Sequence, residues 1–146
     1  ILEGMAPRRL QLPRYLPPTP LRQVVDAQGR DRTAQLPADS LELLPVELDK
    51  TTRNKILRAR QGELRRMLEQ AESLAQAPAR DILAAAEQRM RAALENELAR
   101  LQHLASINPN VRESEIEELR EQREVLSGHI LQTQPVLDSI RLLITG

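Results

Sequence analysis

The sequence of 146 residues contains no cysteine, no tryptophan, no phenylalanine and a single tyrosine. Without cysteine there are no disulfides, no thiolate metal ligands and no cysteine nucleophile, and the composition fits a reducing compartment. With Tyr15 as the one aromatic side chain, the sequence excludes an aromatic platform for stacking nucleic-acid bases and disfavours a β-sandwich core. The apolar residues are mainly Leu, Ala, Ile and Val, which favour helix packing.

Other absences limit the chemistry and the location. The sequence has no glycine-rich phosphate loop, no leader with a charged and then an apolar region, and no apolar run near the roughly 20 residues of a membrane span. We therefore expect a soluble, cytoplasmic protein without a membrane partner. Because the chain begins with Ile1 and not with methionine, we also expect a fragment of a larger protein.

Proline divides the chain into two parts. Seven of the ten prolines lie in the first 45 residues, and proline lacks the amide donor that a helix interior needs. Residues 1–48 are therefore predicted to be a Pro-rich segment without long helices. Within it, two β-prone runs flank Gly29, which predicts a β-hairpin over about residues 21–36.

From Asp49 onward, apolar residues recur at every third or fourth position, which is the pattern of amphipathic helices. Pro78 and Pro109 mark the expected breaks between helices. The predicted helices cover about residues 50–76, 78–106 and 113–139. The β-prone run 141–145 is interpreted as a strand that joins the N-terminal hairpin, with a helix tail as the alternative.

These elements together predict an α+β fold that is predominantly α. Its main feature is a long antiparallel hairpin of the second and third helices, with the first helix preceding it. This helical part, residues 49–146, is expected to pack with a small antiparallel β-sheet formed by the N-terminal hairpin and the C-terminal strand. We expect both parts to belong to one domain.

Few residues are candidates for catalysis or metal binding. His103 and His129 lie on different predicted helices, so a shared metal ion would require them to meet across the hairpin. The carboxylates of the third helix are spread along it, as is typical of a solvated face. We predict no catalytic, cofactor-binding or metal-binding residue, and a small independent enzyme is the outlying alternative.

The formal net charge is zero, from 21 basic and 21 acidic residues, but the charges are segregated. Residues 51–109 carry ten basic and seven acidic groups, whereas residues 110–146 carry four basic and seven acidic groups. Near the start of the first helix a basic cluster is opposed locally by Glu63 alone. It consists of Arg53, Lys55, Arg58, Arg60, Arg65 and Arg66. The cluster is either a contact for phosphates or an acidic protein, or a solvated outer helix face.

Several stretches, taken in order, resemble a known family. They are Arg14–Arg22 leading into Val25–Gly29, Leu98–Leu101 through Ile107–Arg112, and the ending Leu137–Ile144. Together they resemble the C-terminal domain of the RapA family, the bacterial RNA polymerase-associated, Swi/Snf-type ATPases. The chain carries no Walker A loop, Asp-Glu box or later helicase motif, so no catalytic residue is carried over. Pro135 departs from the expected uninterrupted third helix and predicts a kink there.

The resemblance implies a non-catalytic accessory domain at the end of an ATP-dependent, DNA-dependent translocase that promotes the recycling of RNA polymerase. ATP and Mg would belong to the parent protein and not to this fragment. The implied partners are the RNA polymerase core and the parent's own ATPase domains, with DNA possible through the parent. The domain would contact polymerase or brace the ATPase domains, and nucleic-acid contact through the cluster Arg53–Arg66 is the alternative function. The predicted hairpin tip adds three candidate contact residues, Asn108, Asn110 and Arg112.

Overall fold

The computed structural model describes residues 1–42 and 48–144, and this part of the chain is mainly helical. Its helices are α1 (Ala38–Glu42), α2 (Lys50–Ala59), α3 (Gln61–Ile107) and α4 (Glu113–Leu131), preceded by 3-10 turns at Arg8–Leu10 and Leu12–Arg14. The chain forms two compact units. The hairpin unit comprises Ile1–Pro20 and Ala79–Gly146, and the second unit comprises Leu21–Pro78. The single domain expected from the sequence stays a prediction.

The helix α3 continues through Pro78, where the sequence predicts a break. Proline leaves the carbonyl of Leu74 without its helical donor, at a typical cost of about 3 kcal/mol. The flanking sequence is rich in alanine, the residue with the highest helix propensity, and this favours continuation of the helix. The break instead lies at Arg60, whose φ of −109° and ψ of 14° end α2.

Helix α2 begins at a side-chain cap. The Oδ1 atom of Asp49 accepts hydrogen bonds from the amides of Thr51 and Thr52, at 2.9 and 3.0 Å. The hydroxyl of Thr52 donates to the other carboxylate oxygen at 2.5 Å, and this bond is the main reason why the pKa of Asp49 is lowered. The predicted helix start after Asp49 is therefore confirmed.

Helix α4 ends at Leu131, well before residue 139 where the sequence-based prediction places its end. Thr133 closes the end of the helix. Its amide donates to the carbonyl of Ile130 at 3.1 Å, and its hydroxyl donates to the carbonyl of His129 at 2.8 Å. Pro135 lies beyond the helix, so the kink predicted there is wrong: the chain has already left the helical conformation before the proline.

The predicted small antiparallel β-sheet is also wrong. No β-strand occurs in residues 1–42 and 48–144, which contain only isolated antiparallel bridges. These bridges join Leu2 to Thr19, Leu2 to Pro135, and Val25 to Asp31. Over 21–36 a single bridge remains, because two short strands without a third strand or a packed layer are marginally stable. Residues 141–144 of the predicted C-terminal strand make no backbone hydrogen bond within the described residues, and residue 145 lies outside them.

The turn of the predicted hairpin nevertheless forms. Gly29 has a φ of +77°, and its amide donates to the carbonyl of Asp26 at 2.8 Å. The carboxylate of Asp26 accepts hydrogen bonds from the amides of Gln28 and Arg30 and from the side chains of Arg30 and Arg32. Desolvation raises the pKa of Asp26, but these hydrogen bonds outweigh it and lower the pKa to about 2. Side-chain hydrogen bonds therefore hold this turn without a sheet.

The core of the hairpin unit follows the apolar period of α3. Its buried residues on this helix recur every three or four positions: Ala79, Leu83, Ala86, Met90, Leu94 and Leu98. Three apolar residues of α4 are also buried, namely Ile116, Leu126 and Ile130. The N-terminal segment contributes Leu2, Leu10, Leu12, Tyr15 and Leu16. The first twenty residues therefore supply apolar side chains to the same unit as the helical pair.

Candidate protein-interaction surface

A polar cluster joins α3 to α4 along the helical hairpin. Arg91 contacts Glu124 at 3.4 Å and donates to the hydroxyl of Ser127 at 3.2 Å. Ser127 is buried and donates in turn to Glu87 at 3.0 Å, while Arg91 also pairs with Glu87 one helical turn before it. These contacts fix the antiparallel register of the two helices.

The cluster favours the ionised form of its carboxylates by lowering the pKa of Glu87 and of Glu124. The hydrogen bond from Arg91 is the main cause that lowers the pKa of Glu87, and a smaller contribution comes from Ser127. Hydrogen bonds from Arg123 and then Arg91 lower the pKa of Glu124. Part of the acidic face that the sequence indicated as solvated surface is therefore used to hold the two helices together.

The single aromatic residue packs inside the hairpin unit. Tyr15 is buried, with the guanidinium of Arg14 lying 5.7 Å from the centre of its ring. Its backbone carbonyl accepts a hydrogen bond from Arg89 of α3 at 3.1 Å. The ring is thus a structural residue that anchors the N-terminal segment, and it is not available for stacking on a base.

The tip of the hairpin, residues 107–112, connects α3 to α4. The side chain of Ile107 is 68% exposed. The Oδ1 atom of Asn108 accepts a hydrogen bond from the amide of Asn110 at 3.0 Å, and its carbonyl accepts one from Val111 at 3.2 Å. The three predicted contact residues of the tip, Asn108, Asn110 and Arg112, are all exposed, and Asn108 also shapes the loop.

The start of α4 gives the tip an acidic flank. Four exposed carboxylates occupy its first two turns: Glu113, Glu115, Glu117 and Glu118. Arg120 pairs with Glu117 and lies 3.9 Å from Glu113. Acidic residues in a first turn interact favourably with the positive end of the helix dipole. The surface beside the tip consequently presents more negative than positive charge.

The basic cluster predicted from the sequence lies in the second unit, on α2, at the break residue Arg60 and at the beginning of α3. All six residues are exposed, and α2 has no buried residue. Arg60 contacts Glu63 at 3.4 Å, and within residues 1–42 and 48–144 the other five make no ion pair. Relative to Arg53, Lys55 is rotated by about 200° around the helix axis and Arg58 by about 140°. The cluster is contiguous in sequence but does not form one face.

The two histidines are not brought into a metal site by the described residues. His103 is exposed on α3, and His129 is partly exposed on α4. In the part of the chain that the structure describes, no group of three or more His, Asp or Glu side chains could hold a metal ion. Among the helices of this part, none combines the length and the apolar character that crossing a membrane requires.

Sequence reasoning missed the residues that hold the hairpin together. The spacing of Glu87 and Arg91 is the i, i+4 spacing of a helical ion pair, which is a local signal that the sequence does contain. Ser127 carries no such signal, because its role depends on the register between two helices. The exposure of Ile107 depends equally on where α3 ends.

The architecture defines a class of protein: a helical-hairpin domain that presents a tip and a charged flank at its surface. The sequence model of a family described as RNA polymerase recycling family C-terminal matches residues 1–145. The chain therefore belongs to this family, which confirms the resemblance found in the sequence.

Two full-length relatives extend this result. The chain is 37% identical over 144 residues to the RNA polymerase-associated protein RapA of Pectobacterium carotovorum, and 38% identical over 144 residues to RapA of Yersinia pestis. Each match covers 99% of this chain and 15% of the relative. The chain thus spans only a small part of the length of the curated relatives that it matches.

Proposed function

We propose that this chain is a non-catalytic accessory domain of an ATP-dependent RNA polymerase recycling factor, and that its hairpin tip contacts RNA polymerase. ATP, Mg and DNA would be bound by other parts of the longer protein, which would act in the cytoplasm. The family to which the chain belongs and the printed names of its relatives support an association with polymerase. The choice of the tip rests on its geometry.

The observation that carries the proposal is the exposed side chain of Ile107, the last residue of α3, next to a loop with a fixed shape. Fully burying such a side chain at an interface contributes about 1.5–3 kcal/mol. Because Asn108 already holds the loop through Asn110 and Val111, little conformational entropy is lost on binding. The matching surface on RNA polymerase would be an apolar pocket for Ile107 with a basic rim that complements the acidic start of α4.

The experiment uses the full-length parent protein with Ile107→Asp. Its affinity for core RNA polymerase and its effect on multiple-round transcription are measured. We expect the affinity to fall by about tenfold or more, because a carboxylate replaces a buried apolar contact. The matched control is Val125→Asp on α4, where the side chain is 40% exposed but lies away from the tip.

Two outcomes decide the tip contact. If Ile107→Asp binds polymerase and supports recycling like the wild type, the tip is not the contact. If Val125→Asp causes the same loss as Ile107→Asp, the effect is not specific to the tip, and the assignment is equally wrong.

A second candidate function is nucleic-acid contact through the basic cluster. Its support is the exposure of Arg65 and Arg66, for which the described residues provide no ion pair. Charge reversal of both residues would reduce the slope of log K against log salt for duplex DNA by about two, since each phosphate contact contributes about one. The control is Arg80→Glu, an exposed arginine of α3 outside the cluster. An unchanged slope, or no binding at low salt, would exclude this function.

A further inference from the structure

The segment that follows α4 leaves the core with its apolar side chains uncovered. The exposed residues are Val136 (62%), Leu137 (52%), Ile140 (66%), Leu143 (38%) and Ile144 (48%). The last backbone anchor is the amide of Val136, which donates to the carbonyl of Ile1 at 2.8 Å. Beyond it, the backbone of residues 137–144 makes no hydrogen bond to any other described residue. We call residues 136–144 the C-terminal tail.

Isolated apolar residues on a protein surface are ordinary, but a contiguous set is not. In an extended chain alternate side chains share one side. One side of the tail would then carry Val136, Asp138, Ile140, Leu142 and Ile144, and the other Leu137, Ser139, Arg141 and Leu143. The first side is apolar except for one carboxylate. The tail therefore combines an apolar strip with backbone groups that have no described partner.

We propose that the C-terminal tail docks on another part of its own parent polypeptide, in an apolar cleft of a neighbouring domain. The proposal rests on the proposed function in one respect: the chain must be a domain of a longer protein. It concerns a different surface from the hairpin tip, and it gives the bracing role of the domain a specific contact.

Two observations favour the parent over other occupants. The chain matches only 15% of the length of its relatives, so most of the polypeptide of such a protein lies outside it and is covalently tethered to it. A tether gives effective concentrations in the millimolar range, which a second copy or a separate partner lacks. The tail also carries only one acidic and one basic residue, Asp138 and Arg141, so its complement is apolar and differs from the basic rim expected for the tip.

The test is amide hydrogen exchange in the full-length parent without polymerase. We expect the amides of the tail to exchange slowly in the wild-type protein, because docking buries them. The variant Ile140→Asp should raise their exchange rate by about tenfold or more, since the carboxylate cannot enter an apolar cleft. The matched control is Ser139→Asp, which adds the same charge at the neighbouring exposed position on the other side and should leave the exchange rate unchanged.

Further measurements identify the molecule on which the tail docks. Protection must be the same at two protein concentrations tenfold apart, and it must not require polymerase. Protection that grows with concentration would indicate a second copy, and protection that arises only with polymerase would indicate an intermolecular contact; either result overturns the proposal. Fast exchange of the tail in the wild-type parent overturns it as well.

A check on folding keeps the test decisive. Ile140 is largely exposed, so the amides of α4 should remain protected in Ile140→Asp. If they do not, the second variant Ile144→Asp provides the same comparison at another position of the apolar side. Because polymerase is absent from the main measurement, failure of the tip contact would leave its outcome unaffected.

Discussion

The same substitution, glycine to alanine, is predicted to have opposite effects at two positions of the hairpin unit. Gly128 lies inside α4, and a Cβ atom added there has no atom within 4 Å outside its own helix backbone and chain neighbours. Gly4 lies in the N-terminal segment. A Cβ atom there would be 2.7 Å from the Cδ2 atom of Leu12 and 2.9 Å from the hydroxyl oxygen of Thr133.

The magnitudes follow from these surroundings. Alanine at position 128 should stabilise the fold by about 0.5–1 kcal/mol, because it has a higher helix propensity and restricts the unfolded chain. At position 4 both neighbours are buried, and the hydroxyl of Thr133 also holds the carbonyl of His129. Neither neighbour can retreat without loss of packing, so Gly4→Ala should cost about 1–3 kcal/mol.

The measurement is urea unfolding of the 146-residue chain, followed by far-UV circular dichroism. Gly128→Ala should raise the midpoint and Gly4→Ala should lower it, both with an unchanged slope. The free energies of unfolding of the two variants should differ by about 1.5–4 kcal/mol. If Gly4→Ala is as stable as the wild type, the N-terminal segment does not pack closely on Leu12 and Thr133, and the predicted destabilisation is wrong.

Three further predictions concern the core and the polar cluster of the hairpin. Met90→Ala should lower the free energy of unfolding by about 2–5 kcal/mol, because Met90 is fully buried. The exposed control Met5→Ala should change the free energy of unfolding by less than about 0.5 kcal/mol. Equal effects of the two substitutions would contradict the assigned core. Ser127→Ala should cost about 1 kcal/mol in urea unfolding, since it removes the hydroxyl between Arg91 and Glu87, and an unchanged stability would count against that bridge. Because folding lowers the pKa of Glu87 from its ordinary value of 4.5, the ionised carboxylate stabilises the folded state fully above that pH. This stabilisation is lost as the pH falls below it. Glu87→Gln should therefore weaken the acid dependence of Tm below that pH, and an identical dependence would argue against the pairing.

The candidate site was only partly predictable. The Asn-Pro-Asn sequence places the turn between the two helices, because Pro109 disfavours the helical conformation of the residue before it. The sequence does not reveal that Asn108 is engaged with Asn110, since that depends on the loop conformation. It also groups Arg53, Lys55 and Arg58, which the 100° rotation per residue then separates around α2.

Features that depend on interactions over a few residues could be predicted from the sequence alone. The three-to-four period from Leu83 to Leu98 fixed the buried face of α3, Asp49 fixed the start of α2, and Gly29 with Asp26 fixed a turn. Propensity, capping and periodicity work at this range, so they can be read without a fold.

Features that depend on residues far apart in the sequence became visible only in the folded chain. A stable strand needs a sheet or a packed layer around it. Among the described residues, the two runs within 21–36 meet at a single bridge without a third strand, and residues 141–144 make no backbone hydrogen bond. The close approach of Gly4 to Leu12 and Thr133, and the bridge from Ser127 to Glu87, likewise join segments far apart in sequence. Burial and pairing of this kind are set by the whole packed unit, and a local pattern contains no information about them.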